Sequence, residues 1–181
     1  FLLFVVPLIA MRLFPEERKS GTIELLLTSP VSEGTVTLGK FIGALGFLAT
    51  LWLPTLAYVL ILRAQTSIDL GPVASAYLAI LLIGAYFLSV ATFASTLSKN
   101  QIVAAILAFA MLIPIFSAGL IEGMATDPKF RSALSYFNLW EHMEEFSRGV
   151  VDTRRLVYYL SATAFFLFLA AVSLAAKKET T

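Results

Sequence analysis

The chain has 181 residues, of which 59% are hydrophobic and only 14% are charged, and its net charge is +1. A soluble domain usually has about 25% charged residues, so this composition argues against a surface covered by water. The balanced charge gives no sign of a nucleic-acid partner. The absence of cysteine excludes disulfides and thiolate chemistry within this sequence.

Residues 1–14 are apolar except for Arg12. This stretch is too short to cross a bilayer, which needs about 20 apolar residues. It also lacks the basic start and the small-residue cleavage site of a signal peptide. We interpret it as the end of a spanning helix that begins outside this chain.

The polar junction over residues 15–40 contains a short amphipathic helix, predicted over residues 22–29. Its apolar residues have i, i+3, i+4 spacing on one face: Ile23, Leu26 and Leu27. Gly21 precedes this helix, and Pro30 ends it because the residue before a proline is pushed out of the helical conformation. Glu24 lies in the first turn, where a carboxylate interacts favourably with the helix dipole.

Two interpretations of this short helix remain open. It lies flat on the lipid headgroups, or it docks in a groove of a partner protein. Its polar face carries hydroxyls and Glu24 rather than lysine and arginine. That composition favours the partner over anionic lipid.

The stretch GTVTLGKF, residues 34–41, has the spacing of a phosphate-binding P-loop. A working P-loop follows a buried strand and ends in Ser or Thr, whereas Phe41 stands at that position and begins an apolar run. We therefore predict no nucleotide site here. Gly39 and Gly43 are interpreted as a small-residue pair for helix packing, and Lys40 as a residue whose amine reaches the headgroup region.

Four apolar runs without a charged side chain define the class of protein. They are Phe41–Leu62, Val73–Leu97, Gln101–Ile121 and Leu156–Ala176. As helices they reach about 31–38 Å, enough to cross a hydrocarbon core of about 30 Å. The fold class predicted from them is an all-α polytopic membrane protein.

Residues 122–155 are polar and are predicted to contain short helices at the bilayer surface. One apolar stripe has helical spacing: Leu139, Met143, Phe146 and Val150. Glu144 and Arg148 are placed for an i,i+4 ion pair. Three aromatic residues suit a membrane interface: Tyr136, Phe137 and Trp140.

His142 is the only histidine. A zinc protease of the HExxH type needs two, so that class is excluded. Metal binding by His142 with neighbouring glutamates is less favoured than a solvated interface residue. An ion-coupled secondary transporter would require charged or protonatable side chains such as Asp, Glu, Lys, Arg or His within its spans. The four spans contain none of these at their centres. That transporter and a membrane scaffold remain the alternatives to an ATP-driven system.

The junction resembles that of ABC-2 family ABC-transporter permeases, especially the gliding-motility and copper-processing type of export permease. The pattern is an acidic pair, Gly-Thr, Glu-Leu-Leu, Ser-Pro and a Gly-Lys entering a span. Here it stands as Glu16-Glu17, Gly21-Thr22, Glu24-Leu25-Leu26, Ser29-Pro30 and Gly39-Lys40. The order of the spans downstream agrees, so the resemblance covers essentially the whole chain.

The resemblance implies a single transmembrane domain over residues 1–181, similar to type V exporters, with about five of six spans present. It implies that the junction is a cytoplasmic coupling helix that docks on a separate ATP-binding subunit. ATP and magnesium would then be bound by that subunit, and no cofactor by this chain. The ATPase-coupling residues are Glu16, Glu17, Gly21, Thr22, Ile23, Glu24, Leu26, Leu27 and Pro30.

The resemblance also places residues 122–155 outside the cytoplasm, with Phe146, Arg148, Gly149 and Asp152 matching a family pattern. It implies a second permease as partner, an inner-membrane location and a cytoplasmic C-terminus. The count of lysine and arginine near the span ends, seven on the predicted cytoplasmic side against six, gives this orientation little support.

Overall fold

A computed structural model describes residues 1–20, 32–124 and 126–178 of the chain. The described residues form helices joined by short turns. They are α1 (Leu2–Ala10), α2 (Pro15–Ser20), α3 (Glu33–Gln65), α4 (Leu70–Leu97), α5 (Gln101–Met124), α6 (Pro128–Ser135), α7 (Leu139–Ser147) and α8 (Thr153–Lys178).

Polar side chains at the N-caps set where several helices begin. The Ser32 hydroxyl accepts a hydrogen bond from the Thr35 backbone N–H at the start of α3. The Asp69 carboxylate accepts one from Gly71 N–H, at 2.9 Å, at the start of α4. Such caps satisfy backbone donors that have no partner within the helix.

Helix α4 is the centre of the bundle and packs against α1, α3, α5, α7 and α8. Of its most apolar 18 residues, 56% are buried, against 6% for α3. Small residues on α4 allow this close approach from several sides; they include Ser75, Ala79, Gly84, Ala91 and Ala94. The hydroxyls of Ser89 and Thr92 donate to carbonyls of their own helix, so neither is left unsatisfied in the apolar interior.

The long helices run in alternating directions, which gives the bundle two ends. We call the end that carries α2 the junction end; α2 contacts α5 there. We call the opposite end, which carries α6 and α7, the short-helix end. Ser75 near the start of α4 donates to the Phe146 carbonyl of α7 there, at 2.5 Å.

The predicted all-α membrane fold is confirmed. The helices long and apolar enough to cross a membrane in the described chain are Glu33–Gln65, Leu70–Leu97, Gln101–Met124 and Thr153–Ala176. Each of these four helices contains one of the four apolar runs predicted from the sequence. Helix α3 begins at Glu33, so residues 33–40 of the polar junction belong to the same helix as the apolar run 41–62.

The predicted apolar stripe of residues 139–150 is right for three members and wrong for one. Leu139 and Phe146 are buried, and Met143 packs against the core. Val150 is 55% exposed because α7 ends at Ser147 and the chain turns before reaching it.

Candidate functional site

Most of the predicted coupling residues lie outside the described part of the chain. These are Gly21, Thr22, Ile23, Glu24, Leu26, Leu27 and Pro30. Glu16 and Glu17 lie in the first turn of α2, at the junction end of the bundle. The structure therefore describes the two flanks of the predicted coupling helix, residues 13–20 before it and residues 32–40 after it.

The amine of Lys40 connects these two flanks. Its Nζ donates to the Leu13 carbonyl at 2.7 Å and to Glu17 Oε1 at 2.5 Å. It also lies 5.3 Å from the centre of the Phe14 ring, within cation–π range. The sequence predicted the place of Lys40 at a span end but missed these partners, because they lie 23 and 27 residues away along the chain.

Gly39 and Gly43 have no neighbouring helix close to them in the described chain. A Cβ added to either glycine would meet no atom within 4 Å. Both residues are exposed on α3. The described helices therefore do not provide the packing contact predicted for these glycines, and that role remains a prediction.

At the short-helix end, Phe146 lies in the last turn of α7, and Arg148, Gly149 and Asp152 lie in the link between α7 and α8. Gly149 has a φ of +83°, and its N–H donates to the Phe146 carbonyl. The Val150 N–H donates to the Glu145 carbonyl, so the two bonds form a Schellman motif that ends α7. The Asp152 carboxylate then accepts from Arg154 N–H at the start of α8.

An ion pair between α7 and α8 stabilises this link. The guanidinium of Arg155 donates to both carboxylate oxygens of Glu145, at 3.0 and 3.2 Å. This hydrogen bonding lowers the pKa of the Glu145 carboxyl from its usual value. On the surface of α7, Arg148 pairs with Glu144, which confirms the predicted i,i+4 ion pair.

His142 is fully buried, so its interpretation as a solvated interface residue is wrong. Its Nδ1 lies 2.8 Å from Tyr159 Oη, and its ring also contacts Tyr158 edge to face. Burial lowers the pKa of His142 to about 4, and the charge of Arg155 acts in the same direction. The imidazole is thus a neutral packing element between α7 and α8.

Sequence reasoning missed one contact that positions α7. The Asn138 amide Nδ2 donates to Glu122 of α5 at 2.7 Å, while Asn138 Oδ1 caps α7. A Cβ added at Gly119 would lie 2.3 Å from Asn138 Oδ1, so only glycine fits there. An Asn directly before a predicted helix was the available signal for the cap, but nothing in the sequence paired it with α5.

The fold and these two ends define a polytopic α-helical membrane protein with a polar junction before the first of its four candidate spans. The family model for "ABC-2 family transporter protein" matches residues 1–177. The chain belongs to the ABC-2 transporter family and has the membrane helices of a permease component. A search of curated proteins found no match.

Proposed function

We propose that the chain is the transmembrane permease subunit of an ATP-driven export system. It would not itself hydrolyse ATP but would couple hydrolysis in a partner subunit to movement of a substrate across the membrane. Family membership supports an ABC system. The observation that supports ATP as the energy source is the absence of Asp, Glu, Lys, Arg and His from the four apolar runs in the sequence.

The proposed ATP-binding partner docks at the junction end through residues 22–29. A helix with an apolar face of Ile23, Leu26 and Leu27 suits a groove in a protein. Glu16 and Glu24 are proposed to orient it through ion pairs with the ATPase or a neighbouring helix. Magnesium and ATP belong to that partner.

The second proposed partner is another permease, either a second copy or a sister chain. The exposed pair Gly39 and Gly43 on α3 is the proposed point of close helix contact. The junction end and the C-terminus are proposed to face the cytoplasm, across the inner membrane. The short-helix end then faces outward.

Crosslinking at the junction tests this function. These 181 residues contain no cysteine, so a cysteine introduced as Leu26→Cys is unique among them. We expect it to crosslink to an ATP-binding subunit in native membranes. Tyr136→Cys, at the short-helix end, is the control and should not. Crosslinks from Leu26→Cys to lipid alone would contradict the permease proposal and favour a scaffold or a secondary transporter.

A matched pair of substitutions tests coupling. Leu26→Arg should abolish the stimulation of ATP hydrolysis by the permease while leaving the spans folded, because a charge cannot enter an apolar groove without a partner. Leu25→Arg, on the opposite face of the predicted helix, should have a much smaller effect. Equal stimulation in the Leu26→Arg variant and the unaltered complex would show that this face does not dock.

A further inference from the structure

The Lys40 amine joins three elements of the junction end. Its Nζ donates to the Leu13 carbonyl and to the Glu17 carboxylate, and it lies 5.3 Å from the centre of the Phe14 ring. The Leu13 carbonyl lies at the turn after α1, where a cation is favourable to the helix dipole. The side chains of Lys40 and Glu17 are 18% and 29% exposed. Water and salt screen such a pair less than a surface ion pair.

These contacts bridge the predicted coupling segment. Leu13, Phe14 and Glu17 precede residues 21–31, whereas Lys40 follows them on the second turn of α3. Phe14 is fully buried, so the ring under the amine is itself fixed in the bundle. The start of α3 is therefore attached to the α1–α2 turn directly and not only through the intervening chain.

We propose that Lys40 is a positioning residue that fastens both flanks of the coupling segment into one moving body. A push on residues 21–31 then reaches α1–α2 and α3 together. Without this connection, one flank would absorb the displacement and the other would stay in place. The inference rests on the proposed function, because it assumes an ATP-binding subunit that pushes at the junction.

The test measures whether the two flanks move together in the complex with the ATPase. Cysteines at exposed positions carry spin labels: Lys19→Cys on α2 or Leu38→Cys on α3, each paired with Lys99→Cys in the α4–α5 turn. Pulsed electron paramagnetic resonance gives both distances in the nucleotide-free and the ADP–vanadate-trapped complex. In the unaltered protein we expect both distances to shift on trapping.

In the Lys40→Met variant we expect the two flanks to move independently. On ADP–vanadate trapping, one of the two label distances should still shift and the other should stay unchanged. Lys40→Arg, which keeps the charge and the donors, should restore both shifts. Arg12→Met removes the same charge from an exposed residue nearby and is the matched control, with both shifts kept. If Lys40→Met yields too little folded protein, Glu17→Gln is the second variant. It removes the carboxylate charge but keeps the Leu13 and Phe14 contacts, so we expect it to weaken the coupled shift, though less than Lys40→Met does.

The outcomes separate the two proposals. Equal shifts in Lys40→Met or Glu17→Gln and in the unaltered protein would overturn the role of Lys40 and leave the permease function standing. A complex in which no ATP-binding subunit co-purifies, and in which neither distance responds to nucleotide, would overturn the proposed function and this role with it. Lower thermal stability with unchanged coupled shifts would identify a structural contact only, which also overturns the inference.

Discussion

The imidazole of His142 lies between α7 and α8, with Nδ1 beside the hydroxyl of Tyr159. Its pKa falls from 6.5 to about 4 on burial, so the unfolded chain binds a proton there at pH 5 while the folded chain does not. The stability contributed by neutral His142 is present in full above about pH 6.5. It is lost as the pH falls toward 4, by at most about 3 kcal/mol.

We expect the thermal midpoint of the purified protein to fall as the pH is lowered through this window. In His142→Phe the midpoint should be lower at pH 7, because Tyr159 loses its partner, but should change less between pH 6.5 and pH 4. Thermal unfolding followed by circular dichroism at several pH values measures both. Parallel pH curves for the two proteins would contradict a buried neutral imidazole.

Gly149 gives a second prediction at the scale of one residue. Its φ of +83° lies in the region that favours glycine, and an added Cβ would come within 3.4 Å of Pro72 Cγ. Gly149→Ala should therefore cost about 1–2 kcal/mol of stability. Gly149→Asn should cost less, because asparagine tolerates this backbone conformation better. Equal unfolding midpoints for both variants and the unaltered protein would show that the turn does not need glycine.

At the scale of secondary-structure elements, the position of α7 depends on its contacts with the end of α5. Asn138 joins the two through Glu122, and the close approach of Gly119 leaves no room for a side chain. Ser75 of α4 holds the other end of α7 through the Phe146 carbonyl. Helix α7 is thus fixed at both ends onto α4 and α5, at the short-helix end of the bundle.

Gly119→Ala should displace α7 and destabilise the protein by about 1–3 kcal/mol, as overpacking does. Gly123→Ala, one turn further along α5, is the matched control, because a Cβ there meets no atom within 4 Å. Alanine at that helical position should be neutral or stabilising. Thermal unfolding of the two variants checks this. Equal loss in both would show that the Asn138 contact is not what requires glycine.

The existence of each long helix followed from its sequence, because charge-free runs of this length have few other stable structures. The ion pair of Glu144 with Arg148 was predicted from its local i,i+4 spacing in the same way. The link from Lys40 to Glu17 was not predicted, because it depends on how α2 and α3 meet in space. The burial of His142 was missed for the same reason: its partner Tyr159 belongs to the next span.

At the scale of the whole molecule, hydropathy did not indicate which helix lies at the centre. The four candidate spans have similar mean hydropathy, between 1.9 and 2.4, yet their buried shares differ widely. Lipid tails are as apolar as leucine, so hydrophobicity does not sort helices within a membrane. The small residues of α4, such as Ala91 and Ala94, were the better signal because they permit close contact on several faces.

The alternating spans predict which loops share a side of the membrane. Lys19 in α2 and Lys99 in the α4–α5 turn are exposed at the junction end, and α3 and α4 lie between them. Two crossings return the chain to the side on which it started, so both positions face the same compartment. Tyr136, between α6 and α7, is 68% exposed at the opposite end.

Single cysteines test this arrangement with a membrane-impermeant maleimide, applied to intact cells and to inverted membrane vesicles. We expect Lys19→Cys and Lys99→Cys to react only in inverted vesicles and Tyr136→Cys only in intact cells, if the junction faces the cytoplasm as proposed. Ala91→Cys, buried in α4, should react in neither until the protein is denatured. Reaction of Lys19→Cys and Lys99→Cys from opposite sides would mean that α3 and α4 do not both cross the membrane. Reaction of both from outside would keep the fold but place the coupling segment away from any cytoplasmic ATPase, because ATP-binding subunits need access to cytoplasmic nucleotide.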